Sequence, residues 1–213
     1  MRKFGALAAV LLAALALPGQ GQAATHGPVN AEISVCFVPG DGCIDQILAA
    51  VDAARSQIRM QGMNPTRTSL RQALIRAYER GVDVQVIVDS TMEDRAIEAG
   101  CTAEGPVRMA FGDYLHAAGV PTFSDFEVKT AHNKLIIIDG ELVIGGSYNF
   151  TYSAESRNAE NVTFTWSPEI ASWYLENWDS RRVVSRPYIG AVCDGTPTVV
   201  AEALPPPAAS DSE

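Results

Sequence analysis

The chain reads as α/β, a mixed β-sheet flanked by helices. Three observations predict this. β-rich runs alternate along the chain with stretches whose apolar residues recur at helical spacing. Asp139-Gly140 stands between the apolar runs Leu135 to Ile138 and Leu142 to Ile144, a two-residue hairpin signal that adds an antiparallel pair to the sheet. The chain has 213 residues and is 47% hydrophobic, enough for one good-sized core.

Each element has its own signal. Glu32 to Val38 alternates and is β-rich, a first strand. Cys43 to Ile58 carries Ile44, Ile47, Leu48, Val51, Ala54 and Ile58 at helical spacing, and Arg59 to Met63 reads as a short strand. Ser69 to Arg80 is a helix closed by Gly81, since glycine takes the left-handed conformation that ends helices. Val82 to Val88 alternates into a buried strand, and Thr91 to Gly105 is irregular or partly helical. Val107 to Ala118 reads as a helix ending at Gly119, with Val120 to Phe123 a short strand. Beyond the hairpin come a helical turn over Tyr152 to Ser156, a strand over Asn161 to Trp166, and a last helix from Pro168 to Arg182, with proline in its first turn. The folded domain is expected over residues 32–185, without internal repeats.

The two ends read differently. Arg2-Lys3 followed by the apolar run Phe4 to Leu17 is the pattern of a secretory signal. Pro18-Gly19-Gln20 break the run, and Gly21-Gln22-Ala23 is a small-x-small cleavage site, so residues 1–23 are expected to be removed and the protein secreted or periplasmic. An uncleaved anchor is the alternative, but the run is short for a span of about 20 residues. From Gly195, the Pro, Ala and Ser content predicts a disordered tail over 195–213.

Four cysteines fit an exported chain. Cys36 and Cys43 flank Pro39-Gly40-Asp41-Gly42, a tight turn able to bring them together, which leaves Cys101 and Cys193 as the second pair. Zinc is the rival reading, but the spacing matches no compact finger and His26 and His116 are poorly placed to complete four ligands. The formal net charge is −9, and loss of Arg2 and Lys3 would make it −11. An acidic body is an awkward partner for nucleic acid unless a local basic groove sits on it. Arg67, Arg71 and Arg76 lie on one predicted helix, with Arg67 and Arg71 at i,i+4; a solvated helix face accounts for them equally well.

The chemistry concentrates around the hairpin. His132-Asn133-Lys134 opens its first strand, and Gly146-Ser147-Tyr148-Asn149 closes its second. Side chains two apart on a strand share a face, so His132 and Lys134 should point the same way. A two-residue loop pairs Ile138 with Glu141 and puts His132 opposite Ser147. A slip of two residues puts His132 opposite Asn149. Either register gathers His132, Lys134, Ser147 and Asn149 on one face, and a three-residue loop would break the argument. An imidazole, an ammonium, a hydroxyl and a carboxamide together can surround one phosphate.

The run His132-Asn133-Lys134-Leu135-Ile136-Ile137-Ile138-Asp139 reads H-x-K-x-x-x-x-D, and with Gly-Ser-x-Asn behind it, it resembles the HKD motif of the phospholipase D superfamily. The resemblance extends to Arg80 through Asp89, to Phe150-Thr151, to Asn158-Ala159-Glu160-Asn161 and to Leu175-Glu176-Asn177-Trp178, and it is closest to the small bacterial nucleases with one motif copy per chain. It implies a phosphodiesterase fold and a phosphohistidine intermediate, here on His132. Lys134 would neutralise phosphate charge, Asn149 would donate to a non-bridging oxygen, and Ser147 would add a hydrogen bond. Glu160, matched to the family's N-x-E-N segment, is the candidate carboxylate that fixes the histidine tautomer. Asp139 is read as structural, holding the turn.

The sequence shows no metal-ligand cluster, which favours a metal-free route with no cofactor. The family uses two histidines, one as nucleophile and one as general acid, and this chain offers one in the motif; a homodimer with a shared site follows from the family and the histidine count together. Nucleic acid is the leading substrate. Phospholipid, as for a phospholipase D proper, is the alternative, for which Phe123, Phe126 and Trp173 are the available apolar contacts. A non-catalytic binding domain is a third reading, opposed by intact His132, Lys134 and Asn149.

Overall fold

A computed structural model describes residues 26–102, 105–106 and 109–190. Strands β1 (Glu32–Val38), β2 (Gln57–Gly62), β3 (Asp83–Asp89), β6 (Thr122–Asp125), β7 (Lys134–Ile138), β8 (Leu142–Gly146), β9 (Glu160–Trp166) and β10 (Arg186–Pro187) form one sheet, in the order β1-β9-β8-β7-β2-β3-β6-β10. β2, β3 and β6 run parallel, and every other neighbouring pair is antiparallel. Helices α1 (Cys43–Ala53), α2 (Thr68–Glu79), α3 (Ser90–Ala99), α4 (Phe111–Ala117), α5 (Tyr152–Ser156) and α6 (Pro168–Val184) complete the fold, and the short strands β4 (Cys101–Thr102) and β5 (Gly105–Pro106) form a separate pair. The mixed sheet with flanking helices is the architecture the sequence predicts.

The continuous apolar run of β7 is explained by burial on both sides, the pattern of a central strand. Ile136 and Ile138 join the larger core with Leu142, Ile144 and the apolar faces of α1, α2 and α4. Leu135 and Ile137 join Ile87, Phe123 and Val143 under Ala171 and Trp178 of α6. Ser167 caps α6 by accepting from the Ile170 amide, Pro168 occupies its first turn, and the Trp178 indole donates to the Met60 carbonyl at 3.0 Å. This fixes α6 across the middle of the sheet.

Two element readings need correction, at the end of α1 and the start of α4. α1 stops at Ala53, because Ala54 turns extended (ψ 138), and Ile58 belongs to β2. The helical spacing ran on because Ile58 faces the same core from a strand. The stretch after Thr91 begins as a regular helix, α3, which starts at Ser90. The helix read from Val107 starts at Phe111, because Ala110 before it is extended (ψ 171). The expected signal segment, the tail, and Cys193 of the expected Cys101–Cys193 pair lie outside the described residues. Cys36 and Cys43 are joined, with Cα atoms 5.7 Å apart.

The hairpin register is the main correction. Ile138 pairs with Leu142 and Leu135 with Gly145, not Ile138 with Glu141. Turn chemistry is as expected: Asp139 (φ 55) and Gly140 (φ 66) are both left-handed, and the Glu141 amide closes the turn onto the Ile138 carbonyl at 3.0 Å. Glu141, however, bulges out of the ladder as an extra residue, which shifts the register by one. The parity argument that placed His132 opposite Ser147 or Asn149 therefore fails, and His132 itself precedes β7 rather than belonging to it.

Candidate active site

The polar residues nevertheless meet, for a different reason. Gly146 ends β8 at φ +150, and a side chain there would put its Cβ 2.3 Å from the Asn161 carbonyl oxygen. Only glycine fits, and the chain breaks from the strand at this point. Phe150 is left-handed (φ 57), and its carbonyl accepts from the amides of Thr66 at 3.1 Å and Arg67 at 3.0 Å. Held between these two constraints, residues 147–149 turn back over the end of β7. The result is an open cavity of about 560 Å³, with His132, Lys134, Ser147, Asn149 and Glu160 in its lining.

The cavity lies where the parallel strands β2, β3 and β6 end and where β7 begins. The exposed His132 precedes β7, and the buried Asp89 carboxylate at the end of β3 accepts from the Ala131 amide at 2.6 Å, fixing the residue before it. The Lys134 ammonium lies 3.0 Å from His132 Nδ1 and 3.1 Å from Nε2, and donates to the His132 carbonyl at 2.8 Å. Burial pulls the Lys134 ammonium below the ordinary lysine value, and the nearby Glu160 charge opposes the shift.

Glu160 is in the cavity, but its hydrogen bond comes from the Asn158 side-chain Nδ2 at 2.9 Å, and its charge acts on Lys134. No hydrogen bond joins it to His132 among the described residues. Ser147 Oγ accepts from the Asn161 amide at 3.1 Å, leaving its hydroxyl proton free to donate. The Asn149 amide oxygen is buried without a partner among the described residues. Tyr148, pointing away, donates to Glu155 at 2.8 Å, and burial pushes its hydroxyl well above the ordinary tyrosine value.

Asp139 stands at the far end of β7. It accepts from the amides of Arg55, Ser56 and Gln57 and from the Ser56 hydroxyl, at 2.8 to 3.2 Å. Burial raises its pKa, but the three amides and the hydroxyl outweigh it and hold the carboxyl below the ordinary aspartate range. It ties the hairpin turn to the α1–β2 connection and touches nothing in the cavity.

Sequence reasoning missed Tyr174 and Asn177, which line the cavity from α6, and Asp89, which positions the chain before His132. Asn177 lies in a segment already noted for its resemblance; nothing in the pattern says that α6 would cross the sheet there. The other two histidines stay away: His26 stacks on Trp173 at 4.5 Å, and His116 lies 6.3 Å from the Tyr188 ring. Among the described residues no group of three or more His, Cys, Asp or Glu side chains is placed to hold a metal ion.

Comparison with known proteins agrees with the motif. The family described as "Cardiolipin synthase, PLD-like domain" matches residues 47–182. A phospholipase D of Rickettsia prowazekii is 35% identical over 158 residues, covering 73% of this chain and 70% of the relative. A mitochondrial cardiolipin hydrolase of Canis lupus familiaris is 27% identical over 76% of this chain and 59% of its own. The crystal structure of Nuc from Salmonella typhimurium, a phospholipase D family member, superposes with a TM-score of 0.63 at 31% identity, over 75% of this chain and 99% of that one. The chain belongs to the phospholipase D superfamily and is a phosphodiesterase of that class.

Proposed function

We propose that this phosphodiesterase is a nuclease that acts through a phosphohistidine on His132, without a metal. The observation that carries the nucleic-acid reading is the character of the cavity. It is open, and most of its lining side chains are polar or charged. In the proposed first step a His132 ring nitrogen attacks phosphorus, a P–N bond forms, and the P–O bond to the leaving alkoxide breaks as a general acid protonates it. Water then displaces the histidine and returns a phosphomonoester. Lys134 and Asn149 hold the non-bridging oxygens through both steps, and Ser147 donates to the same phosphate. Glu160 sustains the positive charge of Lys134.

The general acid is proposed to be His132 of a second copy, because His26 and His116 are engaged elsewhere on the fold. A two-fold axis beside the cavity would make each site of two halves. Mixing His132→Ala chains with wild-type chains should lower activity as chains exchange. A monomer by light scattering, fully active when dilute and indifferent to the variant, refutes the shared site. Export is proposed from the signal pattern, and the Cys36–Cys43 disulfide supports it.

Phospholipid is the second reading. Two observations favour it: relatives named phospholipase D and cardiolipin hydrolase, and the exposed Ile33, Val35 and Phe37 on edge strand β1. Purified protein in EDTA, given single-stranded DNA, RNA and phosphatidylcholine vesicles in parallel, decides the matter. Cleavage of nucleic acid alone is expected. Release of phosphatidate without nucleic-acid cleavage overturns the nuclease reading, and dependence on an added metal overturns the metal-free one.

A further inference from the structure

The arginines of the fold divide by location. Arg55, Arg59, Arg76, Arg80 and Arg181 each pair with a carboxylate. Five others form no ion pair among the described residues; Arg182 and Arg186 lie on the rings of Phe123 and Phe126, which leaves Arg67, Arg71 and Arg157. Each instead lies against a tyrosine: Arg67 and Arg157 are 5.8 and 6.0 Å from the Tyr152 ring centre, and Arg71 is 3.5 Å from that of Tyr114.

None of these residues lines the cavity itself; the segment that carries Asn149 connects them to it as a rim. Arg67 and Arg71 are one helical turn apart at the start of α2, with the Arg71 amide bonded to the Arg67 carbonyl. The Arg67 amide is bonded to the carbonyl of Phe150, the residue after Asn149. Tyr152 follows two residues later in α5 and is 60% exposed. Arg67 Nε is buried without a hydrogen-bond partner among the described residues. The exposed Tyr152 side chain, flanked by two guanidinium groups that have no ion pair among the described residues, offers a stacking face and two phosphate contacts. On a chain of net charge −9, such a grouping is a local exception to the acidic surface.

We propose that this rim is a binding subsite for single-stranded nucleic acid, with an unpaired base stacked on Tyr152 and the flanking phosphates held by Arg67 and Arg157. Arg71 and Tyr114 extend the track along α2. The proposal rests on the nucleic-acid reading of the cavity and adds strand form to it, because a base held in a duplex has no free face to stack on tyrosine. The acidic body would repel a long duplex, whereas a single strand can follow the narrow cationic track.

The test measures binding of a fluorescent, phosphorothioate-linked oligothymidylate to the full chain in EDTA, beside its duplex and beside anionic phosphatidylglycerol vesicles. Tyr152→Leu should weaken single-strand binding by about 5- to 150-fold, the range for loss of one stacked base, and Tyr152→Phe should restore it. Arg157→Gln should lower the slope of log affinity against log salt by about 0.7, one phosphate contact on a single strand. Thermal melting checks that the variants fold. Both variants binding the oligonucleotide like wild type, while wild type cleaves single-stranded DNA, overturns the rim and leaves the nuclease reading standing. Equal losses on duplex and single strand overturn the stacking. A loss confined to vesicles makes the rim a membrane contact and overturns the proposal. Failure of wild type to bind or cleave any nucleic acid removes the nuclease reading itself.

Discussion

Lys134 and the Asp139 turn cap opposite ends of β7, a five-residue strand, and they are built on opposite rules. At the Asp139 end, one carboxylate collects three backbone amides and a hydroxyl, and Arg55 joins it at 3.7 Å. At the Lys134 end, the ammonium's hydrogen bonds among the described residues all go to His132, Ser147 keeps its hydroxyl proton free, and the neighbouring arginines lie on aromatic rings. A structural end satisfies its polar groups internally. An end that must receive an anion keeps donors and charge in reserve, at some cost in stability.

The comparison is broken most sharply by His132→Ala. Hydrolysis of every phosphodiester should vanish while the melting temperature stays within a degree or two of wild type, since His132 is exposed. Near-wild activity in a preparation free of host nucleases would remove His132 from the chemistry. Lys134→Ala and Asn149→Ala should each lower kcat by about 10²–10³, the usual value of one electrostatic donor, with little change in unfolding free energy.

Asp139→Ala should do the reverse. It leaves the Ser56 and Gln57 amides without their acceptor, so unfolding in urea should show a loss of about 2–3 kcal/mol, the cost of removing a charged acceptor from several donors. The kcat of the folded fraction should change by less than about threefold, if the two ends are independent. Removing the Cys36–Cys43 bridge should cost roughly 2 kcal/mol, the small end of the range because the loop is short; unfolding with and without reductant measures it.

The smallest effects are in the pH dependence, and their signs differ between the two ends. Lys134 must be protonated to hold phosphate, and its lowered pKa means that this form is lost as pH rises, earlier than for an ordinary lysine. Glu160→Gln removes the charge that opposes the shift, so the alkaline limb of kcat/KM should move to lower pH. An unmoved limb would separate Glu160 from Lys134. The Asp139 carboxyl is lowered on folding, so its contribution to stability is present above the unfolded aspartate value and is lost as pH falls through the folded one. Asp139→Asn should flatten that acid-side loss.

Periodicity and turn chemistry alone determined the β1 span, the sheet-and-helix layering, the left-handed Asp139-Gly140 turn, the structural place of Asp139 and the Cys36–Cys43 pairing, because each depends on residues close in the chain. The motif spacing likewise selected His132, Lys134, Ser147, Asn149 and Glu160 as one group. How they meet was decided only in three dimensions. Glu141 leaves the β7 ladder while its carbonyl accepts from the Ser167 amide just before α6, a contact between segments distant in sequence. Gly146 is forced by the approach of Asn161, and Tyr174 and Asn177 arrive because Trp178 docks α6 on β2. The hydrophobic pattern specifies which side of an element is buried. It carries no record of which distant backbone will press against a given residue, and at this site those approaches set the geometry.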